Sequence, residues 1–126
     1  MDLDNAAAIL YAITFALLMA HQADSAYWRE WELFRMPGGP QLNLALNLLL
    51  LLAGLAGFAA VLESHRAGNA FALVLSAAGA FAFAIHFVFL ARGDHRFRLP
   101  ASIGVIVALL PVSVALAAVT LAAARG

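Results

Sequence analysis

The chain has 126 residues, of which 65% are hydrophobic and 11% charged, against an apolar share of about 45–50% in ordinary soluble domains. So few charges cannot cover the surface of a soluble fold of this length, and the apolar excess points to lipid. Seven arginines, no lysine and seven acids give a formal net charge of zero, which speaks against a nucleic-acid partner. The absence of cysteine excludes disulfides and thiolate metal sites.

A bilayer core ~30 Å thick is crossed by about 20 apolar residues of helix. Four stretches meet that length or nearly so: residues 5–21, 41–62, 70–91 and 101–123. Barrel strands would alternate polar and apolar residues, and these runs do not, so helices are expected. The predicted fold class is all-α: an integral membrane four-helix bundle, one transmembrane domain over residues 1–126. The start, Met1-Asp2-Leu3-Asp4-Asn5, is acidic where a cleavable signal peptide is basic, so the first run is read as a retained span.

Between the first two runs, Gln22 to Arg35 contains no Gly or Pro and suits helix. Met36-Pro37-Gly38-Gly39-Pro40 then stops it. The expectation is a helical or interfacial extension after the first span. Tyr27, Trp28, Trp31 and Phe34 suit an aromatic belt at that interface.

In the second run, Asn43 and Asn47 share a helical face with Gly54 and Gly57. A short polar turn follows, with His65 solvated. In the third run, His86 shares a face with Ala72, Gly79 and Ala82. An Arg-rich turn carrying His95 leads into the fourth, where Pro111 removes the hydrogen bond to the Val107 carbonyl and predicts a kink. Gly54, Gly57, Gly79 and Gly104 are expected to let helices approach closely, with Tyr11 and Ser76 as further helix contacts.

Arg29, Arg35, Arg92, Arg96 and Arg98 gather at one end, against Arg66 and Arg125 at the other. The positive-inside rule then puts the long connection in the cytoplasm of a bacterial inner membrane, with both termini outside.

The polar residues inside the apolar runs converge on that end. On a continuous first helix, Thr14, His21, Asp24, Ser25, Trp28 and Glu32 form one stripe, with Glu30 opposite. His86 lies six residues before Arg92, a depth of ~9 Å. Asn47 and His21 lie at a similar level, with Asp24, Asn43, His95 and Ser102 just outside it. Singly, such residues serve as interhelical hydrogen bonds of about 1 kcal/mol. Together they outline a pocket lined by Asn43, Asn47, Trp28 and Trp31.

Three chemistries fit the pocket. His21, Asp24 and His86 could hold a divalent metal such as Zn, Fe or Mn, with Glu32 or His95 in reserve. His21 and His86 could instead be axial ligands of a haem. A metal-free proton relay is the third. At the level of the whole molecule, the alternatives to a ligand-binding protein are an accessory subunit of a larger membrane complex, or of an assembly of its own copies, and a small transporter. The lack of an acid from Asn5 to Ala20 weighs against the transporter.

The segment His21-Gln22-Ala23-Asp24-Ser25-Ala26-Tyr27-Trp28-Arg29-Glu30-Trp31-Glu32 resembles that of small bacterial membrane proteins with an H-x-x-D or H-x-x-E motif followed by Glu-Trp. More loosely it is similar to the HxxEE group, although Ser25 replaces the second acid. The resemblance covers the first third of the chain. It implies roles for His21, Asp24 and Glu30, against the helical placement of Glu30 away from His21; a bend between Asp24 and Glu30 would reconcile the two.

Overall fold

The computed structural model describes residues 1–94, 96 and 98–126; the expectation for His95 lies outside them. Among the described residues the elements are α1 (Leu3–Tyr27), α2 (Glu30–Leu33), α3 (Gly39–Leu62), α4 (Arg66–Ala91) and α5 (Pro100–Ala123). All but α2 are long and apolar enough to cross a bilayer. The fold is thus the all-α, four-helix membrane bundle expected from the sequence.

Local chemistry sets the helix ends. Asp2 caps α1 by accepting a hydrogen bond from the Asn5 amide at 2.8 Å. Pro40 and Pro100 sit in the first turns of α3 and α5, where a missing N–H costs nothing. α1 runs past His21 to Tyr27 and stops where Arg29 takes a left-handed conformation, φ 54°. The chain then re-enters helix as α2, the interfacial extension. α5 continues as one helix through Pro111, whose ring faces outward.

The four long helices form a ring in the order α1, α3, α4, α5, with α1 and α4 also touching across the middle. Tyr11, Leu18, Ala72, Leu75, Ala82, Leu109 and Leu116 fill the core. α3 is the most peripheral helix, burying only Gly54 and Gly57.

Small residues set the close contacts. A Cβ on Gly57 would lie 2.7 Å from Phe71 Cδ1, and one on Gly68 would lie 2.7 Å from the Ala60 carbonyl oxygen. Gly54 packs on Phe15, and Gly79 on Ser113. Gly104 departs from expectation: it is exposed, with nothing within 4 Å of an added Cβ, because it lies on the outer face of α5. Ser76 also turns inward on its own helix, donating to the Ala72 carbonyl at 2.8 Å.

Tyr11 ties α1 to α3, its hydroxyl donating to the Gly54 carbonyl at 2.9 Å. Tyr11→Phe should keep the fold and lower stability by about 0.6–1.7 kcal/mol, the range for interhelical hydrogen bonds in membranes. Unfolding midpoints in mixed micelles measure this.

Ser64, in the α3–α4 turn, lies 3.5 Å from Asp4 at the start of α1. His65 there is exposed and paired with Glu63 at 2.9 Å. This end carries both termini. The opposite end carries α2 and the α4–α5 connection, and there the polar residues meet.

Candidate metal centre

Three elements each bring one buried donor to the α2 end. α1 supplies His21, 4% exposed; α4 supplies His86, 1% exposed; α2 supplies Glu30, 7% exposed. One ligand atom from each lies within 4.8 Å of the other two, an arrangement that could hold a metal ion. The imidazoles meet edge to face, with centroids 4.5 Å apart at 82°. Rings in direct contact leave no gap for a macrocycle between His21 and His86 as they stand.

The tautomer of His86 follows from its backbone partner. Nδ1 lies 2.8 Å from the Ala82 carbonyl, one turn earlier. A carbonyl only accepts, so Nδ1 carries the hydrogen. Nε2 therefore points inward, 3.3 Å from Glu30 Oε1. In the neutral ring, that nitrogen is a lone pair facing a carboxylate. A proton or a metal cation between the two resolves the repulsion.

Glu30 is held on its other side as well: the Ser25 hydroxyl donates to Oε2. Burial pushes its carboxyl pKa up, but hydrogen bonds from His86, in its protonated form, and from Ser25 outweigh burial and leave it below its ordinary value. Glu30 is thus a carboxylate at neutral pH, the form a metal ligand requires.

Glu30 reaches this position only because the helix breaks. On an unbroken α1 it falls opposite His21. The left-handed Arg29 turns the chain, and α2 carries Glu30 back over the end of the bundle, so the wheel placement is corrected. Nothing in the residue type announces the turn, since a positive φ is uncommon for arginine. The Glu-Trp pair, with its implied bend, was the one signal available.

Other expected site residues are placed differently. Asp24 Oδ1 accepts from Trp28 Nε1 at 3.1 Å, so one oxygen of the expected third ligand is tied to Trp28, and Asp24 stands outside the His21–Glu30–His86 group. Glu32 faces solvent and pairs with Arg29 at 2.7 Å. Asn43, Asn47 and Trp31 do line a cavity of about 330 Å³ that opens onto His21, Glu30 and His86; Trp28 lies outside its lining. Ser25, buried and central, was placed on the right stripe without being given a role.

Ser25→Ala should leave the bundle folded and weaken metal binding ~10–100-fold, the usual effect of removing a partner that orients a ligand. Metal titration of the purified variant measures it.

The four apolar helices define the class, a small polytopic membrane protein, and its buried His/Glu/His group could hold a metal ion. The chain belongs to a family of unknown function, DUF6713, whose model matches residues 7–123. That match spans all four long helices, beyond the third of the chain that carries the His21–Glu32 pattern. No curated protein and no solved structure matches the chain.

Proposed function

We propose that the protein binds a divalent transition-metal ion through His21, Glu30 and His86, with a coordination position open to the adjoining cavity. The observation that carries this reading is the convergence of these three buried donors from separate elements within 4.8 Å. Four-coordinate ligands at ~2.1 Å from an ion sit ~3.4 Å apart, so small side-chain shifts suffice. Two imidazoles and one carboxylate with a vacant position suit Zn, Fe or Mn. The arginine bias supports a cytoplasmic location for this end in a bacterial inner membrane, with both termini outside.

The test is metal binding itself. Protein purified into nanodiscs, stripped with chelator and titrated with Co(II) should take up one equivalent, with visible bands of a nitrogen- and oxygen-ligated ion. Absence of stoichiometric uptake by optical titration and elemental analysis overturns the reading.

A second reading is favoured by α3. Its leucine face is open, with Leu44 72% and Leu49 63% exposed, and a neighbouring membrane subunit or a second copy could cover it. Native mass measurement from mild detergent distinguishes a complex from a protein that always runs alone.

A further inference from the structure

Two cavities meet at the α2 end. One, described above, holds the candidate ligands. The other, of about 600 Å³, is a groove between α1 and α3. Gln22, Trp31, Asn43 and Asn47 line both, so the groove and the metal site share a wall of three amide side chains and an indole.

The groove is ordered along its length. Asn43 and Trp31 mark the interface end. Met19, Leu48 and Leu51 mark the end deeper in the bilayer. From Asn43 to Leu51 is eight residues of helix, or ~12 Å. Leu44 and Leu48, 72% and 55% exposed, leave its side open to lipid. A polar mouth at the interface above an apolar trough is the order of polarity within a lipid molecule, and at this depth hydrocarbon is the surrounding solvent.

Charge selects the head group. A divalent ion held by two neutral imidazoles and one carboxylate keeps one net positive charge. A buried net charge is costly in a bilayer, and one singly anionic oxygen ligand neutralises it. We infer that the ligand is a single-chain lipid carboxylate: its chain lies in the α1–α3 groove, and its head passes Asn43 and Asn47 to the open position at the His21–Glu30–His86 centre. This inference rests on the metal reading for its head-group half.

The experiment uses full-length protein in nanodiscs, with Trp28→Phe leaving Trp31 as the sole tryptophan. A brominated long-chain carboxylic acid is titrated into the Co(II)-loaded protein. Trp31 fluorescence and the Co(II) bands are followed together. Saturable quenching is expected, with a matching change in the Co(II) spectrum. The methyl ester of the same acid should need at least 10-fold more, as should the acid with the groove-filling variants Ala23→Phe or Leu48→Phe. If Co(II) binds but quenching is non-saturable and equal for acid and ester, the lipid inference is overturned and the metal reading stands. If no Co(II) binds in those samples, the metal reading falls and takes this assignment with it.

Discussion

Glu30→Gln is expected to weaken metal binding more than ~100-fold, since changes to the partners of ligands already cost 10–100-fold and this one removes a ligand. The amide keeps the size of the side chain and can still accept from Ser25, so α2 has little reason to leave the bundle. The negative charge that offsets half of the ion's charge and faces His86 Nε2 at 3.3 Å is lost. Asp24→Asn and Glu32→Gln serve as contrasts. Asp24 has one oxygen tied to Trp28 and lies outside the group of three converging donors. Glu32 forms an exposed pair with Arg29, a type of contact worth ~0–1 kcal/mol. Both variants should bind within a few-fold of the parent. Competition with a chromophoric chelator ranks all three. Should Asp24→Asn lose the metal while Glu30→Gln keeps it, the ligand set reverts to the one suggested by His21–Asp24 spacing.

Gly68→Ala should be strongly damaging, costing about 1–3 kcal/mol as overpacking against a rigid neighbour. Its Cβ would meet the Ala60 carbonyl oxygen at 2.7 Å, the Ala60 carbonyl carbon at 2.8 Å and Val61 Cα at 2.8 Å. All three are backbone atoms of α3, which cannot rotate aside as a side chain can. α3 and α4 would have to separate at the turn that joins them. Gly104→Ala places the same methyl in open space on a lipid-facing surface and should be neutral. Thermal or SDS-induced unfolding of the pair reads the difference directly. Equal stability of the two variants would mean that α3 and α4 do not pack as closely as described.

Much of the architecture was legible in the residues. Four long apolar runs could only be helices in lipid, and Met36 to Pro40 marked a break from composition alone. The depth and facing of His21, Asn43, Asn47 and His86 followed from helical periodicity, because each lies on a regular helix whose rotation per residue is fixed. Glu30 did not follow, because its position depends on one backbone angle at Arg29. Once the chain leaves the helix there, periodicity carries no information past it. Asp24 is a related case. Spacing showed that it could reach His21, but not that Trp28, also one turn away, would hold one of its two oxygens. Gly104 was misjudged because small size permits close packing without requiring it.

The three donors come from α1, α2 and α4: His21 and Glu30 are near neighbours in sequence, and His86 is brought to them from the far side of α3. An ion bound to them would work as a clasp in a protein that has no cysteine to make a covalent one. α2 has only four helical residues and is hung between left-handed Arg29 and Arg35, so its position rests on the side chains that tie it to the bundle rather than on its own helical length. Clasping would restrict the loops between the donors in the same way as a cross-link. Assembly would then have a natural sequence, in which the long helices gather first and the short one is fastened over their end by the metal.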